Sequence, residues 1–95
     1  MPYQPHSHRY TGETTYSDGH VHQYNGRTST NRDEEGHIHY FRGVTSYEDG
    51  HVHYYYDSTG PAIYFYGGHY HNYRGRTMVA DGHIHGYSGR TSTFR

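Results

Sequence analysis

The sequence contains no leucine, tryptophan, cysteine or lysine. Without cysteine, disulfide bonds are excluded. Without leucine, the larger aliphatic residues are only four valines and three isoleucines. Burying each of these fully is worth roughly 1.5–3 kcal/mol, whereas ordering the backbone costs about 1–2 kcal/mol per residue. Tyrosine and phenylalanine must therefore supply much of the buried apolar surface, and metal binding or assembly remains as the further source of stability that a small domain needs.

Positive charge in excess and long hydrophobic runs are absent as well. The formal net charge is −1 with neutral histidine, so the chain lacks the electrostatic signature of a nucleic-acid-binding protein. No stretch approaches the ~18 apolar residues of a membrane-spanning helix, and residues 1–10 lack the apolar segment of a classical signal peptide. We expect neither nucleic-acid binding nor membrane insertion, and we favour an extracellular or cell-surface location over the cytoplasm.

All twelve histidines occur in His-x-His pairs. The pairs are His6/His8, His20/His22, His37/His39, His51/His53, His69/His71 and His83/His85. They begin 14, 17, 14, 18 and 14 residues apart, so a larger unit of 31–32 residues holds two pairs. This spacing predicts a single β-repeat domain over 6–95, with repeats 6–36, 37–68 and 69–95, preceded by an N-terminal arm over 1–5.

The local pattern predicts an all-β fold. His, Val, His, Gln and Tyr alternate over residues 20–24, which is typical of a strand. Asn25-Gly26 and its counterparts predict tight hairpin turns, each followed by a Thr/Ser strand, and Asp-Gly turns at 18–19, 49–50 and 81–82 return the chain. We expect an antiparallel meander of six short-strand β-hairpins, up to twelve strands, in three tandem two-hairpin repeats with a sandwich- or barrel-like arrangement.

Two segments interrupt this pattern. Residues 31–36 form a polar linker, NRDEEG, and residues 57–68 lack the turn glycine at its expected place. The second segment contains the most apolar run of the chain, residues 62–66. We predict that this run either is an edge strand or an interface or is buried within the monomer.

Four stretches of the chain resemble the YmaF family. They are DGHVHQYNGRTS, EGHIHYFRGVTSYEDGHVH, STGPAIYFYGGHYHNYRGRT and DGHIHGYSGRTS. The resemblance extends over nearly the whole chain from His6 onward. It implies a small bacterial-type repeat domain and supplies no activity, so the functional hypotheses depend on the residues themselves.

The histidine pairs are candidate metal ligands. Residues i and i+2 of a strand point to the same face, and neutral imidazole is a common ligand of transition metals. Two histidines of one strand can converge on an ion if further ligands come from another hairpin or another subunit. We therefore predict that all twelve histidines are ligands, with zinc, copper or nickel as the expected ion. In the alternative interpretation, the imidazoles stack on tyrosines and hydrogen-bond to Thr and Ser, forming a polar core without metal.

Three functional hypotheses follow from these features. The first, which we favour, is a structural protein that assembles with itself into a filament or surface layer, through edge strands and residues 1–5 or 62–66. Its histidine pairs are either metal ligands or the ordered polar core. The second is a soluble module that sequesters or senses metal. A minor third hypothesis is a zinc hydrolase with Glu34, Glu35 or Glu48 as base. Because an active site needs one asymmetric constellation and the pairs are six near-equivalent copies, we expect the protein not to be an enzyme.

Overall fold

The structure, a computed structural model, describes residues 4–94 and is built from seven short β-strands. The strands are β1 (Arg9–Glu13), β2 (Gln23–Arg27), β3 (Tyr40–Val44), β4 (Tyr54–Ser58), β5 (Ala62–Phe65), β6 (Gly68–Arg76) and β7 (Gly86–Arg90). Residues 4–94 contain no helix, and thus no helix that is long and apolar enough to cross a membrane. The predicted all-β, antiparallel fold is confirmed.

Each repeat forms one antiparallel hairpin. β1 pairs with β2, β3 with β4, and β6 with β7, while β5 is added to the other edge of β6. The register is the same in the first and third hairpins: Tyr10 lies opposite Gly26 and Gly12 opposite Tyr24, as Tyr73 lies opposite Gly89. These are separate two- and three-stranded sheets rather than a closed barrel.

The three hairpins surround a common core, and each contacts the other two. Single backbone hydrogen bonds join neighbouring hairpins near both ends of the molecule. These bonds are Ser29 N–H to Tyr40 O, Ser46 N–H to Gln23 O, Gly60 N–H to Asn72 O, Met78 N–H to Tyr54 O, Thr15 N–H to Gly86 O and Ser92 N–H to Arg9 O, at 2.7–2.8 Å. The result is a rod with principal extents of 47 × 20 × 17 Å.

The apolar core consists of aromatic rings alone. Its members are Tyr10, Tyr24, Phe41, Tyr55, Tyr73 and Tyr87, one from each half-repeat. Their ring centroids lie 5.2–6.4 Å apart, a spacing that favours edge-to-face contact. Val44 and Val79 are exposed instead. The aromatic residues therefore carry the burial that the few aliphatic residues cannot.

The buried hydroxyls of the core are mostly paired. Tyr10 and Tyr55 share a hydrogen bond of 2.9 Å, and Tyr24 and Tyr73 share one of 3.0 Å. The third pair would join Tyr87 to position 41, where phenylalanine has no hydroxyl, and the Tyr87 hydroxyl makes no hydrogen bond within residues 4–94. Burial, together with the nearby Asp57 carboxylate, raises the pKa of Tyr87.

The predicted strand pairing, with one hairpin in each half-repeat and up to twelve strands, is wrong. The structure has seven strands within residues 4–94, and the two halves of each repeat pair with each other. The predicted turn glycines lie inside strands: Gly12 in β1, Gly26 in β2, Gly43 in β3, Gly75 in β6 and Gly89 in β7. A Cβ atom on Gly26 would lie 2.5 Å from the Tyr10 hydroxyl oxygen and 2.8 Å from its Cζ. Glycine therefore serves here to let an aromatic ring lie across the partner strand, so each repeat makes one long hairpin from its two halves.

The Asp-Gly turns lie where the sequence predicts them, at 18–19, 49–50 and 81–82. The aspartates adopt left-handed backbone conformations, with φ of 53° at Asp18, 53° at Asp49 and 52° at Asp81. Aspartate is one of the few non-glycine residues that accept this conformation. These turns lie together at one end of the rod.

Candidate metal centres

The twelve histidines gather into two clusters of six. Centre I contains His6, His8, His37, His39, His69 and His71, and centre II contains His20, His22, His51, His53, His83 and His85. The hairpin topology explains this division. In each repeat one pair lies at the start of the first hairpin strand and the other just before the second, and two antiparallel strands begin at opposite ends. The first pair immediately precedes β1 and β3, whereas His69 and His71 lie within the first residues of β6. Each repeat therefore contributes one pair to each end of the rod.

The second histidine of every pair, the inner histidine, is fixed by the same contacts in all six copies. Inner histidines are 0–1% exposed. The backbone N–H of each donates to the hydroxyl of a buried threonine at 2.9–3.1 Å. Its Nδ1 lies 2.7–2.9 Å from the carbonyl oxygen that follows a threonine of a neighbouring hairpin. These threonines are Thr14, Thr28, Thr45, Thr59, Thr77 and Thr91.

The first histidine of each pair, the outer histidine, also has an oxygen partner at Nδ1. In centre II the partners are the carbonyl of the turn aspartate two residues earlier, at 3.2 Å, and the carboxylate of another repeat's turn aspartate. The carboxylate contacts are His20 with Asp49 at 3.2 Å, His51 with Asp81 at 3.6 Å and His83 with Asp18 at 3.4 Å. Each turn thus supports a ligand of another repeat.

In centre I the outer histidines use different oxygens. His6 Nδ1 contacts the Gln4 carbonyl at 3.1 Å, and His37 Nδ1 contacts the Glu34 carbonyl at 2.7 Å. The Asp33 carboxylate lies between His37 and His69, with Oδ1 3.7 and 3.8 Å from their Nδ1 atoms. That oxygen is buried and makes no hydrogen bond within residues 4–94. The linker over 31–36 therefore brings a carboxylate to centre I.

These contacts determine the tautomer of the imidazoles. A backbone carbonyl can only accept a hydrogen bond, so eleven of the twelve histidines are assigned a hydrogen on Nδ1. In neutral imidazole the other nitrogen, Nε2, then carries a lone pair and no hydrogen. Metal-binding histidines show this arrangement, in which the second ring nitrogen donates to a carbonyl or carboxylate.

The Nε2 atoms point at one another. Neighbouring Nε2 atoms are 3.0–3.2 Å apart in both clusters, and all six lie within 4.8 Å of each other. With hydrogens on Nδ1, these are contacts between lone pairs rather than hydrogen bonds. Such contacts are repulsive unless a cation lies between them. The donor set therefore fits a bound metal ion, and the two clusters are positioned to hold one each.

The rings are arranged as an octahedron. In centre I each ring contacts four others, with centroids 4.5–5.2 Å apart, and the fifth ring lies opposite it across the centre. The opposite pairs are His6 with His71, His8 with His37, and His39 with His69. An octahedron with an edge of 3.0–3.2 Å has its centre about 2.2 Å from each vertex (edge divided by √2), close to the ~2.0–2.1 Å of zinc–imidazole bonds.

Burial favours the neutral form of six of the imidazoles. It lowers the pKa of His39, His69 and His71 to about 4, and hydrogen bonds to carbonyls oppose this effect at His39 and His71, as the Asp33 carboxylate does at His69. Burial also lowers the pKa of three further inner histidines, namely His8, His53 and His85. Neutral imidazole is the form that binds metal.

The sequence analysis predicted these histidines as ligands but missed the residues that orient them. The structure gathers all twelve histidines into the two centres and leaves Glu34, Glu35 and Glu48 exposed. The sequence places the six threonines in hairpin strands and offers them as hydrogen-bond partners of the imidazoles only in the interpretation without metal. A signal for their role is present, because a threonine follows every inner histidine by six residues. Metal binding by each of the twelve histidines remains a prediction.

Comparison with known proteins identifies the family. The YmaF model, described as spore germination protein GerY/YamF, matches residues 1–59 and again residues 51–93. No curated protein and no solved structure matches the chain. The two overlapping matches cover almost the whole sequence and confirm the resemblance seen in its histidine repeats. The chain belongs to the YmaF family.

Proposed function

We propose that the protein is a metal-binding structural protein that holds two six-coordinate transition-metal ions, one at each end of the rod. The convergence of six Nε2 atoms in each cluster, eleven of the twelve assigned as unprotonated, carries this proposal. The core of six aromatic rings is small, and ions at both ends would join all three hairpins where single backbone hydrogen bonds now join them. Metal binding to the folded state adds to folding stability.

The octahedral arrangement selects among the expected ions. Structural zinc sites are almost always four-coordinate and tetrahedral, and copper(II) prefers tetragonal geometry. Of zinc, copper and nickel, the octahedron therefore fits nickel(II) best. Iron(II) and cobalt(II) belong to the same proposal because imidazole also suits first-row divalent ions of this class.

We infer that the centres are not catalytic. A catalytic metal site keeps a coordination position open for water or substrate, whereas six imidazoles fill an octahedron. The glutamates considered as bases are exposed. The absence of an open position supports a structural or storage role over the zinc hydrolase hypothesis.

Titration of metal-free protein with Ni²⁺ and Zn²⁺ tests the proposal. We expect two Ni²⁺ ions per chain in calorimetry, and six nitrogen neighbours at about 2.2 Å in X-ray absorption spectra. His22→Asn is expected to reduce the stoichiometry to one, and Tyr16→Ala, at an exposed position, to leave it at two. Absence of saturable binding, or a four-coordinate spectrum with every ion, would contradict the proposal.

The family description adds a biological setting. It names a spore germination protein, and we extend the proposal to a role in germination for this chain. In a spore-forming host, spores that lack the protein are expected to germinate at an altered rate. The wild-type gene should restore that rate and His22→Asn should not. Restoration by both genes would separate the germination role from metal binding.

Self-association is a second candidate function, supported by β5. This strand pairs only with β6 among residues 4–94, so its other edge is unpaired. Ile63, Tyr64 and Phe65 are 37–55% exposed. An edge of this kind can pair with another strand, and a twofold axis would place β5 of a second copy against it. Because a twofold contact closes as a dimer, a filament needs a further contact. The sequence predicts the arm over 1–5 for this contact, and residues 1–3 of that arm lie outside the described residues.

Light scattering at increasing protein concentration tests this association. We expect a dimer that Tyr64→Lys disrupts and that Tyr16→Lys, at a more exposed position away from β5, leaves intact. A monomer at every concentration, with and without Ni²⁺, would exclude the assembly.

A further inference from the structure

The two centres differ in how their outer histidines are tied to the rest of the chain. In centre I, His6 exchanges two backbone hydrogen bonds with Asn31, and His69 exchanges two with Phe94, at 2.8–3.0 Å. Both partners are remote in sequence. His37 is the exception, since its N–H donates to the nearby Glu34 carbonyl at 3.1 Å. Displacing two of the three outer ligands of centre I therefore requires breaking long-range backbone pairs.

In centre II the backbone hydrogen bonds of all three outer histidines go only to their own turns, and the one tie of each to another repeat is the side-chain contact with an exposed turn aspartate. His20 pairs with Ser17, His51 with Glu48 and His83 with Ala80, each partner being three residues earlier, at 3.0–3.2 Å. These turns lie beyond the strand ends. Such a turn can swing outward with its histidine while every hairpin stays paired, and local opening of this kind has a lower free energy than global unfolding.

Centre I is also more completely covered by neighbouring side chains than centre II. Phe94 stacks on His6 with centroids 4.3 Å apart and planes at 16°, and the Tyr64 ring lies 5.4 Å from His69. The outer side chains of centre I at positions 37 and 69 are 5% and 2% exposed. Those of centre II are 10–11% exposed, and the aspartate side chains beside them are 62–65% exposed. Centre II therefore opens to solvent among carboxylates that attract cations.

We propose that centre II exchanges its ion with the solution while centre I retains its own. This inference rests on the proposed metal binding. The three outer histidines form one face of the octahedron, and their departure exposes an ion still held by the three inner imidazoles. Water or an incoming ligand can occupy the vacated positions. The protein would thus take up and release one ion per chain without unfolding, with centre I holding the three hairpins together.

Chelator challenge of the nickel-loaded protein tests the inference. Protein carrying two Ni²⁺ ions is mixed with excess EDTA, and release is followed by absorbance and by metal analysis of the desalted chain. We expect two phases of one ion each, with rate constants that differ by roughly tenfold or more because local opening precedes global opening. His53→Asn should remove the fast phase, and the matched variant His39→Asn should remove the slow one.

Variants of the covering residues provide a second measurement that leaves all ligands in place. Phe94→Ala uncovers His6 and should accelerate the slow phase alone, whereas Tyr47→Ala, at a position 71% exposed, should change neither phase. Release of both ions in a single phase, a fast phase that survives His53→Asn, or a fast phase that responds to Phe94→Ala would overturn the inference and leave metal binding standing. Failure of the wild-type protein to bind Ni²⁺ would overturn both.

Discussion

At the scale of single residues, the hydrogen on Nδ1 decides what the histidines can do. A packed polar core, the alternative to metal binding, would need Nε2–H donors to satisfy the facing nitrogens. The carbonyls at Nδ1 use those hydrogens instead. Without an ion, the lone pairs of neighbouring Nε2 atoms would lie 3.1–3.2 Å apart in a buried site, which is unfavourable where the local dielectric is low. The contacts at Nδ1 thus favour the metal hypothesis over the packing hypothesis.

The buried threonines make a testable contribution at this scale. The Thr45 hydroxyl accepts the His53 backbone N–H at 2.9 Å and lies in a buried site. Thr45→Val keeps the shape but leaves that N–H without a partner, which costs about 1–3 kcal/mol. We expect a loss of this size in the free energy of unfolding of the metal-free protein, measured by urea denaturation. The control Thr30→Val, at an exposed position, should change it by less than about 0.5 kcal/mol, and equal losses in both variants would refute the role.

At the scale of the strands, glycine has a packing role rather than a turn role. Gly26→Ala would bring a Cβ atom 2.5 Å from the Tyr10 hydroxyl oxygen, whereas the nearest atom to a Cβ on Gly60 is 3.5 Å away. Overpacking of this kind typically costs about 1–3 kcal/mol. We expect Gly26→Ala to lower the urea midpoint clearly and Gly60→Ala to leave it nearly unchanged. If Gly26→Ala were as stable as wild type, the packing of the Tyr10 ring would not depend on glycine at position 26.

The elements also show how far the sequence could predict the fold. Alternation and repeat spacing were sufficient for the all-β class and for a shared face of His, His and aromatic residues. The strand pairing could not be predicted, because Asn25-Gly26 carries the same local signal in a turn and in a strand that passes beneath a tyrosine ring. The division of the histidines into two centres depends on that pairing. If each half-repeat formed its own hairpin, as predicted, this division would not be expected. Because each repeat forms one hairpin, its two histidine pairs lie at opposite ends and the division follows directly.

At the scale of the whole molecule, three similar hairpins give two similar ends, and the segments that interrupt the repeat make them different. The linker over 31–36 supplies Asp33 to centre I, and β5 with Tyr64 and the C-terminal Phe94 cover it. Centre II has only the three Asp-Gly turns. Insertions between repeats therefore modify one end of the rod and leave the aromatic core and the other end unchanged.

Stability of the whole molecule should depend on pH in the absence of metal. The pKa of His39, His69 and His71 is about 4 in the folded protein, against about 6.5 in an unfolded chain. Between these values the unfolded chain binds more protons, so the stability present above pH 6.5 is lost as pH falls toward 4. Because small domains have only about 5–15 kcal/mol of stability, protonation linked at several buried sites is enough to unfold the chain.

Urea midpoints of the metal-free protein at pH 7.5, 6.5, 5.5 and 4.5 measure this dependence. We expect the midpoint to fall steadily as the pH drops below 6.5. Saturation with Ni²⁺ should move the fall to lower pH, since ligated nitrogens must lose the ion before they bind a proton. A midpoint that stays constant from pH 7.5 to 4.5 would mean that the imidazoles are protonated as readily in the folded chain as in the unfolded one, and the packing of neutral rings at the two ends would have to be abandoned.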